Sequence, residues 1–344
     1  MSTRSPRPIE IVGGGLAGLS LGLALQRQGV PVLLHEAARY PRPKVCGEFI
    51  AGLDAATIAR LDLTPWIQAC PRHRQTTWFV ESRETARTTL PAPAIGVSRQ
   101  FLDTQLATAL RAAGGEVREN SRVTDRGPRA GRVVTSGRRV QPGGWVGLKL
   151  HARRLSLEGD LEMHLGRGAY VGLAGVQDGR VNVCGLFAPR GVPSGAPTTA
   201  LQRHLRAAGL EALARRLDDA EICPDAFAAV AGVHFQATPP RESAALALGD
   251  AYAAIPPFTG HGMAMALQSA AAAVEPLRRW SQQGADWSET VTLIQRQLRR
   301  LFRRRLLAAR LLHPWLLQPR GQRLLVTLLQ RRLLPFRLLY HLSH

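Results

Sequence analysis

The sequence is short of lysine, of cysteine and of long apolar runs, and each shortage narrows what the chain can be. Four cysteines, Cys46, Cys70, Cys184 and Cys223, are scattered over 344 residues. None falls in a CxxC pair or a Cys/His metal spacing, so neither a disulfide framework nor a zinc centre is expected. No apolar stretch reaches the roughly 18 to 20 residues that span a bilayer. The opening "MSTRSPRP" leads into a strand without the apolar core of a signal peptide, and the expected location is the cytoplasm. Ser/His/Asp and Cys/His nucleophile arrangements, internal repeats and low-complexity segments are also lacking. Lys44 and Lys149 are the only lysines among 45 basic residues, a bias towards arginine that GC-rich coding produces.

Acidic residues are missing from one region. From Thr290 onward there are twelve arginines and no Asp or Glu, whereas the first 289 residues hold 33 basic against 25 acidic residues, a net of +8. The total of +20 therefore belongs largely to the tail and does not mark the whole chain as a nucleic-acid binder.

What is present begins with "IEIVGGGLAGLSLGLALQRQGVPVLLHE", Ile9 to Glu36. It reads as an apolar strand, a glycine loop, an apolar helix from Leu16 to Gln28 and a second strand from Val30 to His35. Gly13, Gly15 and Gly18 stand in GxGxxG spacing. The first permits a tight turn, the second lets a pyrophosphate approach the backbone, and the third lets helix and strand pack closely. The helix N-terminus offers free N–H groups to the phosphates. Glu36 sits where a carboxylate takes ribose hydroxyls, which favours FAD or NAD over NADP. A buried strand–turn–helix with incidental glycines is the competing account.

A second unit, "ALALGDAYAAIPPFTGHGMAMALQSAAAAV", runs from Ala245 to Val274. A strand enters Gly249-Asp250, a Pro-rich turn follows, and Gly260-His261-Gly262 opens an Ala-rich helix. With the N-terminal unit this resembles the FAD-dependent para-hydroxybenzoate-hydroxylase-like superfamily, and its wording is similar to the geranylgeranyl-reductase branch. The resemblance implies an α/β fold: a Rossmann-type FAD-binding domain with an inserted β-sheet substrate domain and C-terminal helices. It implies that Asp250, after Gly249, holds the ribityl hydroxyls. The turn with Pro257 and the N–H groups of Gly260, Gly262 and Met263 would then meet the flavin. "PRPKVCGE" resembles the K-x-C-G segment of the same branch, which places Cys46 and Gly47 against the flavin and substrate, with Glu48 near the ribityl chain or substrate. A tight turn around an inert thiol is the alternative for this stretch. Arg99, opening a helix with Asp103, takes the place of an arginine that reaches the FAD phosphates; a solvated arginine is its alternative. Cys46 and His261 are the catalytic candidates, although His261 could equally face away with only its backbone engaged. Tyr252 and Phe258 are candidates for the pocket lining or the core.

The expected layout is discontinuous. Residues 8–40, 98–145 and 243–282 form the FAD domain, 41–97 and 146–242 the substrate domain, and 283–344 a basic, leucine-rich helical segment. Strands are expected at 76–90, at 161–187 and in "GWVGLKLHA", Gly144 to Ala152, which puts Lys149 and His151 on one face. A loop and helices are expected from Pro189 to Val230. Between Ile294 and Arg305 a helical pattern sets Arg296, Arg299, Arg300, Arg303 and Arg304 opposite Ile294, Leu298, Leu301 and Phe302.

The resemblance implies an FAD-dependent oxidoreductase acting on a hydrophobic small molecule such as an isoprenoid or polyketide lipid, with hydride passing through flavin N5. Hydroxylation of an aromatic or quinone-like substrate by a C4a-hydroperoxide is the alternative, and a non-catalytic flavin-binding membrane protein a third. Where related hydroxylases carry Asp-Gly, this chain has Ser136-Gly137, which leaves open whether NAD(P)H, a separate reductase or the substrate itself supplies electrons. The tail from 290 to 344 packs on the protein or meets an anionic membrane. Nucleic acid and metal are not expected.

Overall fold

The computed structural model describes residues 5–138, 144–189, 199–233, 245–255 and 260–317, together with Gly321, Leu324, Thr327 and Leu328. Pro257, Phe258 and most of the tail after Leu317 lie outside the described residues.

Short apolar strands joined by long crossovers produce a parallel sheet, because each crossover returns the chain to the same end of the sheet. Strand β1 (Ile9–Val12) pairs in parallel with β2 (Val32–His35) on one side and β7 (Arg132–Val134) on the other. Outside them lie β6 (Glu116–Arg118) and β13 (Leu246–Ala247), giving the order β13-β7-β1-β2-β6. Read by succession within the sheet, this is the 3-2-1-4-5 order of dinucleotide-binding folds. It has its reversal, where a ligand crevice opens, between β1 and β7.

Helix α1 (Leu16–Gln26) is buried from Leu16 through Leu25. A helix apolar on all sides needs cover on all sides, and α1 finds it against the sheet, α4 (Arg99–Ala112) and α7 (His261–Gln283).

The second sheet has eight strands. Its order is β12 (Glu221–Val233), β8 (Trp145–Arg153), β11 (Val181–Phe187), β10 (Ala169–Gly175), β9 (Leu161–Gly166), β4 (Arg72–Val80), β5 (Arg83–Gly96) and β3 (Phe49–Ile50). Two short helices, α2 (Ala55–Leu61) and α3 (Thr64–Ile67), join β3 to β4. β4 and β5 form a hairpin whose turn residues, Glu81 and Ser82, both have positive φ, the backbone that matches strand twist in a two-residue turn. Alternation along β8 sends Leu148 and Leu150 to one face, where they pack with α5 (Ala200–Ala207) and α6 (Glu211–Asp218). Lys149 and His151 go to the other, directly across from Cys184 and Asn182 of β11.

Two expectations change. The stretch to Val230 does contain α5 and α6, but Glu221–Val233 is an edge strand, with Pro224 inside a register shift between Cys223 and Ala228. Proline survives in a sheet at such edges and bulges, which is why it misleads there. In α8 (Trp287–Leu317), Ile294, Leu298 and Phe302 are buried on the core as expected, whereas Leu301 is 44% exposed. It lies one position off the buried stripe. Among the described residues no helix is long and apolar enough to cross a membrane.

Candidate active site

The crevice at the strand reversal is one continuous cavity of about 1140 Å³, on the scale of a large cofactor. It runs from the glycine loop, past Arg99, Cys46 and Asp250, to the start of α7.

At the loop, Gly13 has φ +115° and any Cβ on it would stand 2.6 Å from the Ser136 backbone; a Cβ on Gly18 would stand 2.2 Å from Gly13 O. These two glycines are therefore fixed by the chain itself. Gly15 is different: its Cβ would meet only Arg99 Nη2 at 3.6 Å and Lys44 Nζ at 3.8 Å. It also caps α1 without any side-chain hydrogen bond, so the helix amides face open space between two cations, the arrangement that holds a pyrophosphate. Both cations are oriented by Asp103, which is 1% exposed. Its carboxylate accepts two 2.9 Å hydrogen bonds from Arg99 and one of 2.9 Å from Lys44. Burial alone would raise its pKa, but Arg99 and Lys44 prevail and hold it below the usual carboxylate range.

Glu36 accepts from Gly14 N at 2.9 Å and from Ala38 N at 3.0 Å, and it lines the cavity with Arg42. Tyr40 donates to Gly14 O at 2.7 Å, and a Cβ on Gly14 would lie 1.9 Å from its hydroxyl. Burial first, then the nearby Glu36 carboxylate, push the Tyr40 pKa upward, so the phenol stays a donor.

At the other end, Asp250 sits in a one-turn 3-10 segment, Gly249–Ala251, with its side chain exposed to the cavity. The surrounding protein wall, by displacing water from the carboxylate, raises its pKa against the opposing charges of Arg138 and Arg99. Gly260 (φ +68°) caps α7 where a Cβ would lie 2.2 Å from the Phe49 ring. Gly262 and Met263 line the cavity, whereas His261 is 4% exposed and does not. Tyr252 is also turned inward, against Phe302.

Cys46 and Gly47 form part of the wall. Burial raises the Cys46 pKa, with Arg99 opposing, so at neutral pH the sulfur carries its proton. Behind them lies a cluster of charges. Glu48, with φ +54° and no exposure, has Oε2 2.5 Å from His151 Nε2 and Oε1 2.9 Å from the Arg99 amide. Lys149 Nζ, also fully buried, lies 3.1 Å from Oε1. Burial works to raise the Glu48 pKa, but the His151 hydrogen bond and the Lys149 charge leave it lowered. Asn182 completes the set by donating to Cys46 O at 3.1 Å. One carboxylate thus joins the cavity wall, the N-terminus of α4 and β8.

The structure thus gathers Gly13, Gly15, Glu36, Cys46, Gly47, Arg99, Gly249, Asp250, Gly260, Gly262 and Met263 around one cavity, with Gly18 packed behind the loop. It adds Lys44 and Arg138 to the lining and Tyr40 behind it, hydrogen-bonded to Gly14 O, three residues to which no sequence motif gives a role. The lysine in K-x-C-G was the available signal for the first. On the β12 side, Ala228, Ala229 and Val230 supply an apolar wall, and Val230 continues into a cluster of Met163, Leu165, Tyr170, Leu186 and Val233.

The lining fits FAD: helix amides between two cations, two carboxylates spaced along the cavity, and backbone amides at the start of α7.

No protein-family model matches the chain. A menaquinone reductase of Mycolicibacterium smegmatis is 27% identical over 129 residues, which cover 36% of this chain and 31% of that enzyme. The match thus spans about a third of the relative's length. Among solved structures, a geranylgeranyl bacteriochlorophyll reductase-like protein from Thermoplasma acidophilum superposes with TM-score 0.71 at 16% identity, over 94% of this chain and 91% of that one. The p-nitrophenol 4-monooxygenase PnpA from Pseudomonas putida gives 0.76 at 16%, over 99% and 97%. The flavin-dependent brominase Bmp2 gives 0.74 at 18%, over 97% and 92%. The fold of this chain is the one shared by the reductase-like protein, the monooxygenase and the brominase.

Proposed function

We propose that the chain is an FAD-dependent oxidoreductase whose substrate is a hydrophobic, isoprenoid- or polyketide-lipid-like molecule. The observation that carries this is one continuous cavity, lined by the glycine loop, Arg99 and Lys44 at one end and by Cys46 beside the apolar Ala228, Ala229 and Val230 further along. Bound FAD supplies a two-electron carrier that, once reduced, delivers hydride or activates O₂.

The chain's own residues supply the rest. Arg99, Lys44 and the α1 amides bind the pyrophosphate; Glu36 takes a ribose hydroxyl; Asp250 takes ribityl hydroxyls. The amides from Gly260 to Met263 stabilise negative charge at the pyrimidine edge. The apolar residues from Ala228 to Val230 exclude water. Cys46 holds a proton at Sγ, and saturating a C=C bond needs a proton as well as a hydride, which favours reduction. Hydroxylation is the second reading, favoured by the superposition on PnpA.

The test is to reduce the FAD-loaded protein anaerobically, add a menaquinone or a geranylgeranyl lipid with and without O₂, and weigh the product. Gain of two hydrogens without O₂ is expected. Gain of one oxygen atom in air would replace reduction with hydroxylation, and absence of bound FAD would remove the reading altogether. Cys46→Ala should lower turnover on the order of a hundredfold, the usual range for lost acid–base help, with FAD occupancy unchanged. Undiminished turnover would return Cys46 to a structural role.

A further inference from the structure

Helix α8 presents two different faces. The inner one packs Ile294, Leu298 and Phe302 into the core, and the Phe302 ring lies 6.3 Å from that of Tyr252, two residues beyond Asp250. The outer one is neither a plain polar surface nor an apolar seam. Leu293, Arg300, Arg304, Leu307 and Leu311 follow one another at spacings of seven, four, three and four residues and so form one stripe. The three leucines are 45%, 57% and 62% exposed. Arg296, Arg303 and Arg310 flank the stripe, all exposed. Among the described residues none of these five arginines makes an ion pair, and no acidic residue follows Glu289.

We propose that this outer face docks the protein on an anionic phospholipid surface. Exposed leucines beside unpaired arginines match a bilayer interface, where the apolar groups enter the acyl boundary and the guanidinium groups reach back to phosphates. The occupant follows from the charge. A second copy of the chain would set arginine against arginine. Nucleic acid would satisfy the arginines but not the leucines, and no aromatic stacking platform interrupts the stripe. A membrane satisfies both. Docked in this way, the helix that braces the Gly249–Ala251 turn would bring the cavity close to the phase in which a lipid-like substrate dissolves. The proposal stands apart from the flavin reading, since vesicle binding is measured without turnover.

The test is flotation of the full, FAD-loaded chain with phosphatidylcholine vesicles, and with phosphatidylcholine–phosphatidylglycerol vesicles, at rising salt. Co-flotation with the anionic vesicles, weakening as salt screens the contact, is expected. Arg300→Gln/Arg304→Gln should weaken partition roughly thirtyfold, and Leu307→Ser/Leu311→Ser should weaken it too. Both pairs are exposed, and retained flavin absorbance reports an intact fold. No flotation, equal flotation with neutral vesicles, or flotation that neither variant changes would each overturn the proposal. So would binding of double-stranded DNA, or dimerisation that the leucine variant abolishes, in a chain that ignores vesicles.

Discussion

Gly13 and Gly15 are two residues apart in one loop and do different work. Gly13 holds a positive φ against the Ser136 backbone, so its side chain is excluded by the protein. Gly15 has room for a methyl group, and that room opens between Arg99 and Lys44, both held by Asp103. Gly13→Ala should therefore destabilise the fold by about 1–3 kcal/mol or more through strain and clash. Gly15→Ala should melt like the parent yet bind FAD some ten- to hundredfold more weakly, as phosphate hydrogen bonds are lost. Paired thermal melts and FAD titrations check both. Equal FAD affinity in Gly15→Ala would contradict the placement of the pyrophosphate. Glu48 makes a comparable case. Glu48→Gln leaves the fully buried Lys149 without its counter-charge and should lose about 3–5 kcal/mol of stability. Glu48→Leu/Lys149→Met removes both charges and should recover much of that loss, measured by denaturant unfolding. No recovery would mean the ion pair is not what costs the single variant its stability. The glycine loop was legible in the sequence because its parts are consecutive. The Glu48–Lys149–His151 cluster was only half legible: alternation put Lys149 and His151 on one face, but nothing local said that a residue about a hundred positions earlier would meet them.

At the scale of elements, the cavity is built where pieces from distant segments are clamped. Asp103 orients Lys44 across 59 residues, and Glu48 caps the start of α4, whose Ser98 makes no side-chain cap. Helix α8 braces the Asp250 turn from behind through Phe302, which is 1% exposed. Phe302→Ala should cost about 3–5 kcal/mol and loosen FAD binding as well, because Tyr252 loses its backing. A variant destabilised by that amount but with parental FAD affinity would show that the helix supports the core without bracing the site. The misread element, β12, shows why patterns failed there. Its Ala-rich run and Pro224 argue against a strand in isolation, yet pairing along β8 overrides both once a bulge absorbs the proline.

For the whole molecule, buried ionisable groups set the pH limits of stability. Glu162 is 2% exposed and accepts hydrogen bonds from Arg216 at 2.9 and 3.0 Å and from His164 at 2.7 Å. Burial opposes its ionisation, but His164 and Arg216 bring its pKa down from 4.5 to about 2. A depressed carboxylate stabilises the fold above its unfolded pKa, so roughly 3 kcal/mol should drain away as pH falls from about 4.5 to 2. Cys184 runs the other way. Burial lifts it from 9.0 to about 12, so its contribution is complete below pH 9 and lost as pH rises towards 12. Melting temperature against pH checks both limbs. Glu162→Gln should be less stable at neutral pH with a flatter acid limb, and an unchanged acid limb would assign that limb to other groups.

One FAD is expected to fill the crevice between the two sheets. Titration of the purified chain into FAD, followed by quenching of flavin fluorescence, tests it most directly. One FAD per chain, bound with an affinity that NAD and NADP do not compete away and that Gly15→Ala weakens, is the predicted result. Undiminished flavin fluorescence at excess protein, or displacement of FAD by either nicotinamide dinucleotide, would contradict it.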